Sequence, residues 1–449
     1  MKKIVWGIWL LATLVLAGYY GWLLLQADDK SELLIGEATH GHFQIELACS
    51  SCHTQAFGGG EVLQDACVSC HGDDLAMAHD SHPRKKFTDP RNADLLKVLD
   101  ARQCISCHTE HQNERTHPMG VTVPEDYCFH CHEDIGERRP SHVELPFDSC
   151  ASAGCHNFHD NRALYEDFLV ANSGGPWVKS VAQLAERNAA SRAPLPDLPA
   201  PAFDDTALMG KHPQVAADFL ASSHAAAGVG CAGCHTGNND QWLQKPELNQ
   251  CKTCHAGEVE TWLQGKHGMR LAQDLSAMSP SMGRLAFQAH AGDRHQGCTS
   301  CHGAHKFDAK TAAVGGCLEC HADQHSLAFN DSPHGLLAQQ ALNNQRPWSE
   351  AVTCATCHMP RLVNGDTGIK VDKESVSALG ESAIVSVTHN QNLTLRPNEK
   401  MIRPVCMSCH SLEFSIDALA DESLIQNNFK GKPHQHIESI DWAVKREQR

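Results

Sequence analysis

The chain is 449 residues long and sets 37 basic against 53 acidic side chains, a formal charge of -16, with aromatics at only 6%. So acidic a balance excludes the nucleic-acid binders, which need a basic surface. So few large apolar side chains cannot fill a conventional core for this length. What the chain has in excess is 22 cysteines and 31 histidines.

Two lysines precede an uncharged run from Ile4 to Leu25. As a helix it measures about 33 Å, enough to cross a hydrocarbon core of roughly 30 Å. Trp6, Tyr19, Tyr20 and Trp22 sit toward its ends, where interfacial aromatics collect. Lysines before it and Asp28/Asp29 after it orient the N-terminus inward and the bulk of the chain outward. A cleaved signal would be shorter and end in a small-x-small site, which LLLQADD lacks. Residues 1–27 therefore read as a retained transmembrane anchor.

Residues 28–160 carry the first five of eleven copies of one phrase. Four are Cys49/Cys52/His53, Cys67/Cys70/His71, Cys104/Cys107/His108 and Cys128/Cys131/His132. The fifth is wider: Cys150 and Cys155 are separated by four residues, and His156 follows. C-x-x-C-H is the attachment spacing of haem c: two thiols bond the porphyrin and the next imidazole binds its iron. The wider spacer must bulge to keep the sulfurs of Cys150 and Cys155 on the same porphyrin. A zinc knuckle, a redox dithiol or a disulfide also uses paired cysteines, but none requires histidine directly after the second. The eleven copies consume all 22 cysteines.

Residues 161–210 contain no cysteine and read as a haem-free linker, extended over the Pro/Ala-rich Ser191–Asp205. Arg162–Arg192 has patchy helical periodicity in Leu164, Phe168, Leu169, Val178, Val181 and Leu184. Residues 211–425 hold six further motifs. These are Cys231/Cys234/His235, Cys251/Cys254/His255, Cys298/Cys301/His302, Cys317/Cys320/His321, Cys354/Cys357/His358 and Cys406/Cys409/His410. Within them, residues 360–402 form a haem-free insert whose alternation suggests a small hairpin. The tail, 426–449, ends in a surface helix.

Eleven haems in 449 residues leave about 41 residues each, so the porphyrins themselves should be the core. The expected fold is a multihaem cytochrome c: mostly α, with extensive loops and sparse regular structure wrapped around stacked haems, behind one N-terminal transmembrane helix.

Twenty histidines remain for the sixth positions. Three motifs continue as C-H-x-x-H, giving His111, His159 and His305. Positions three apart share one helix face, so the second imidazole cannot reach round its own porphyrin and should serve a neighbour. His42, His142, His224, His267, His295, His334 and His389 lie in contexts suited to distal ligands. His79, His82, His117, His290 and His325 have no context separating them from loop histidines. His130, His434 and His436 are disfavoured by position. Met119, Met269 and Met359 could supply thioethers, though methionines more often pack. Lys266 could cap an open haem, although a solvated lysine is the commoner case.

Three stretches resemble known families. Gly36–Gly60, with His40 and His42 just before the first motif, resembles membrane-anchored multihaem quinol dehydrogenases, which implies electrons from quinol. His71–His159, with RPSHVELPFDSCASAGCH, resembles small periplasmic tri- and tetrahaem cytochromes. SSHAAAGVGCAGCH (222–235), TWLQGKHGMRLAQDL (261–275) and TCATCHMP (353–360) resemble octahaem hydroxylamine oxidoreductases and pentahaem nitrite reductases. The nitrite reductases replace one proximal histidine by lysine, and no such motif exists here. The hydroxylamine enzymes cross-link a tyrosine to haem, yet beyond the anchor only Tyr127 and Tyr165 occur, outside the resembling region.

Iron held by two protein ligands passes electrons and binds no substrate. With histidines in surplus, the expectation is an electron carrier in the bacterial inner membrane, its bulk in the periplasm. Its donor is the quinone pool or a quinol-oxidising membrane subunit, and its acceptor another c-type cytochrome or a periplasmic or outer-membrane redox partner. The alternative is an oxidoreductase with one open haem in 211–425, acting on a nitrogen or sulfur compound.

Overall fold

A computed structural model describes residues 2–26, 30–55, 58–113, 120–124, 126–139, 142–143, 158–160, 164–180, 205–237, 240–363, 385–394 and 398–448. Cys150, Cys155 and His156 of the wide motif lie outside these residues, as do His117, Met119 and the stretch Ser191–Ala200.

The leading helix α1 (Lys2–Leu25) exposes its apolar side chains along almost its whole length, with Leu23 buried. It is long and apolar enough to cross a membrane. After it the chain is short helices, turns and loops. Among its helices are α2 (Gly60–Met77), α3 (Glu166–Ala171), α4 (Ala256–Gln264), α5 (Pro333–Leu342), α6 (Leu412–Ala420) and α7 (Ser439–Glu447).

Most motifs form their own single helical turn. The N–H of the motif histidine donates to the carbonyl of the first cysteine at His53, His108, His132, His255, His321 and His410, over 2.8–3.0 Å. That bond explains the spacing: four residues is about one turn, so the imidazole and the first sulfur emerge on one face.

Regular β-structure among the described residues is a two-stranded antiparallel pair, β1 (Arg361–Val363) with β2 (Val385–Val387), Arg361 opposite Val387. Both strands lie within the haem-free insert, before and after residues 364–384 along the chain, and most of the alternating stretch that suggested a hairpin lies outside the described residues. β2 delivers His389 two residues later.

The largest apolar cluster is C-terminal. Leu164 and Leu169 from and beside α3 meet Ile402, Val405, Leu412 and Ile416 around α6, and Ile440 and Ala443 of α7. The described start of the expected linker is thus packed in place by its own apolar spacing. Trp177 and Lys179 extend this docking, Lys179 N–H donating to Cys409 O at 2.8 Å.

The tail is held by histidine–carboxylate bonds. His436 bridges Asp441 at 2.8 Å and Asp417 at 3.0 Å, while His434 Nδ1 meets Asp421 at 2.9 Å. Hydrogen bonds to Asp441 and then Asp417 raise His436 to about 9. A folded-state value above the unfolded one stabilises fully below about pH 6.5 and is lost as pH rises through about 9. Limited proteolysis at pH 6 and pH 9.5 should therefore release the segment around α7 at the higher pH only. His436→Ala should remove the difference.

The two motif-bearing halves meet through residues 37–51 and 264–284. Arg270 donates to Gln44 O at 2.7 Å and Lys266 to Gly41 O at 2.7 Å. Arg284 pairs with Glu37 at 3.2 Å and lies 4.4 Å over Phe43, and Ser51 bonds Gln273. Lys266 therefore spends its ammonium on backbone carbonyls of the first half, not on a haem.

Candidate haem-binding sites

With the motifs numbered 1 to 11 in chain order, each described histidine from sites 2–4 and 6–11 faces a second imidazole. The ring-centre separations are 5.8 Å for His71–His42, 6.3 Å for His108–His159 and 6.0 Å for His132–His82. They are 5.9 Å for His235–His305, 5.9 Å for His255–His224 and 6.3 Å for His302–His389. The last three are 6.2 Å for His321–His267, 6.1 Å for His358–His325 and 6.2 Å for His410–His334.

Direct contact does not explain so narrow a spread. A metal–imidazole bond of about 2.0 Å plus about 1.1 Å from nitrogen to ring centre, doubled, gives about 6.2 Å. The pairs are spaced for one metal between two rings, and each has one motif histidine and one from elsewhere.

The attachment side fits as well. A continuous internal space of about 5180 Å3 is lined by the cysteines of sites 1–3 and 7–11. None of the twenty described cysteines is in a disulfide, which removes that reading for them. Site 5 stands apart from this account. Cys150 and Cys155, expected from the sequence to attach its haem, and His156, expected to bind the iron, are outside the described residues. Attachment at Cys155 across the wider spacer therefore stays a reading of the sequence.

Neighbouring sites touch through their sulfurs: Cys67 with Cys104, Cys251 with Cys298, and Cys317 with Cys354. Gly316 packs on the backbone of Cys301, joining sites 8 and 9. Cys357 and Cys406 pack on one apolar cluster, joining sites 10 and 11. Cys234 interacts with Cys251 and Cys254, joining sites 6 and 7, so the second half forms a row in chain order.

Residues 41–133 match the family model described as cytochrome c3. This segment is a cytochrome c3-type domain. No curated protein and no solved structure matches the chain. The match spans motifs 1 to 4, and it implies covalently bound haem c and electron transfer through it. It lends nothing to the octahaem and pentahaem likeness of residues 222–360.

Within the c3-type domain and beyond, backbone carbonyls orient the rings. His108 Nδ1 bonds Gly120 O at 2.8 Å and His82 Nδ1 bonds Phe158 O at 2.7 Å. His235 uses Leu243 O, His325 uses Ile425 O, and His410 uses Trp177 O, at 2.5–2.7 Å. A carbonyl only accepts, so the proton is on Nδ1 and Nε2 keeps a lone pair for metal. Burial also pushes His267, His334 and His358 down to about 4 each, so all three are neutral at pH 7.

His42 of the c3-type domain is oriented by a carboxylate instead. Its Nδ1–H donates to Glu110 Oε1 at 2.6 Å, and Glu110 also accepts from the N–H and hydroxyl of Thr39 at 2.8 Å each. Partial burial pushes Glu110 upward, but the bonds from His42 and Thr39 outweigh it and hold it at about 2. A carboxylate makes the imidazole a stronger donor, which favours oxidised metal. Glu110→Gln should raise the potential of site 2 by about 60 mV, the one-electron equivalent of a tenfold affinity difference. A potentiometric titration checks it.

Of the distal candidates named from sequence, His42, His159, His224, His267, His305, His334 and His389 face motif histidines. The other three face no described motif histidine at this distance. His295 is exposed, its Nδ1 3.3 Å from Ala277 O. His111 bonds Gly36 O at 3.0 Å. His142 lies among Arg139, Glu166 and Arg446, and the motif after it is outside the described residues. His82 and His325, which the sequence left undecided, also stand in site pairs. Neither has a motif-linked spacing, and only tertiary contact singles them out.

Proposed function

We propose that this chain is a membrane-anchored undecahaem c-type cytochrome carrying electrons between the inner membrane and a periplasmic or outer-membrane partner. The observation that carries the reading is the set of nine imidazole pairs at 5.8–6.3 Å, each built on a C-x-x-C-H histidine. Haem iron would supply one-electron redox chemistry at each site. The cysteines would hold the group and the paired imidazoles would ligate its iron, and contact between neighbouring sites supports transfer from one to the next.

The route is branched. The first half docks where Lys266 and Arg270 flank His267, a ligand candidate for site 9, in the middle of the row from site 6 to site 11. Electrons from the quinone pool or a quinol-oxidising subunit enter beside α1 through sites 1 and 2, and divide at site 9. An open-haem oxidoreductase is disfavoured, because all six motif histidines of 211–425 face a second imidazole.

Denatured mass and spin state test the proposal together. The mass should exceed the bare 49.0 kDa by eleven haems, and electron paramagnetic resonance of the oxidised protein should be low-spin. A bare-chain mass, or a high-spin signal altered by nitrite, hydroxylamine or sulfite, overturns it. A wild-type mass short by one haem that Cys155→Ala lowers no further would remove site 5 alone.

A further inference from the structure

Two stretches of this chain repeat one arrangement. A histidine stands seven residues before a first motif at His42 and Cys49, and again at His224 and Cys231. A second motif follows after eighteen residues at Cys67 and after twenty at Cys251, and the third motif in each stretch continues as C-H-x-x-H, ending at His111 and His305.

The structure repeats in step. The leading histidine faces the second motif in both: His42 to His71 and His224 to His255. Second- and third-motif sulfurs touch in both: Cys67 to Cys104 and Cys251 to Cys298. His111 and His305 share a backbone conformation rare outside glycine, with φ of +59° and +68°. Each aims its side chain from a left-handed turn just past its motif.

In the second stretch that turn sends His305 to the first motif, facing His235 at 5.9 Å. His159, the third histidine of this type, likewise serves the site two before its own, facing His108. In the first stretch the counterpart is His53. That histidine is exposed and faces no described imidazole at this distance. His111 already has the hydrogen bond of a metal-bound imidazole, Nδ1–H to Gly36 O, which leaves Nε2 for a ligand.

We infer that residues 42–111 and 224–305 are two copies of one trihaem unit, and that His111 is the sixth ligand of the haem on His53. The inference rests on the haem reading of the motifs. It makes site 1, nearest α1, a closed electron-transfer site tied through Gly36 to the segment leaving the membrane helix. It also separates the reading from one in which site 1 stays open to small molecules.

The test is spin quantitation on full-length protein, with haem content read from the denatured mass. His111→Ala should turn one haem per chain from low- to high-spin at unchanged mass, and added imidazole should restore it. His305→Ala should do the same through site 6. A wild-type protein already holding one high-spin haem that His111→Ala leaves unchanged overturns the inference, as does a His111→Ala protein that stays wholly low-spin. Should that variant fail to mature, His111→Met keeps a ligand and should raise one potential; an unshifted titration overturns the proposal. A mass without haem refutes the function proposed above, a different failure.

Discussion

Replacing His267 with alanine is expected to convert one haem to high spin, leave haem content unchanged and interrupt transfer between the two halves. His267 faces His321 at 6.2 Å, and burial keeps it neutral. Its ring borders the internal space, so it is half-buried although protein surrounds it. The neighbours Lys266 and Arg270 grip residues 41 and 44 of the first half, so the proposed ligand is on the joint itself. Deleting a buried ring of this size costs about 3 kcal/mol or more through lost contacts and the cavity left. Spin quantitation, thermal unfolding and stopped-flow reduction read the three effects. A low-spin count equal to wild type would remove His267 from the ligand set.

Gly335→Val should be nearly as damaging at site 11, although glycine touches no cofactor. Ser332 caps α5, accepting from Gly335 N–H at 3.0 Å while its hydroxyl donates to Phe329 O at 2.7 Å. This fold brings the Phe329 carbonyl against Gly335 so closely that a side chain there would collide with backbone. Backbone cannot rotate away, so overpacking costs about 1–3 kcal/mol and tilts α5, swinging His334 off His410. Expected are a lower melting temperature and one added high-spin haem. Gly257→Ala, at an exposed position near the start of α4, is the control: nothing lies within 4 Å of where its Cβ would stand, and the substitution should gain up to about 1 kcal/mol. Equal losses at both positions would refute the packing argument.

His267 and Gly335 illustrate how legibility divides. His267 stood out in the sequence as a distal candidate, but not as the partner of His321, 54 residues on. Gly335 carried no signal, since an identical His-Gly step occurs at His71–Gly72 in a helix where the glycine meets only a valine side chain. His295 and His325 show the same limit from opposite sides. One looked suited to ligation and lies exposed; the other looked indifferent and faces His358 at 6.1 Å.

By itself the sequence determined what is local: the membrane-length helix and the C-x-x-C-H turns with the histidine that ends each, because each is complete within about one turn or one continuous run. Only the tertiary structure decided which histidine faces which motif, that neighbouring sulfurs touch, and that the halves join at site 9. Those partners are tens of residues apart along the chain, and nothing in a histidine's immediate surroundings records the ring it will meet across the fold.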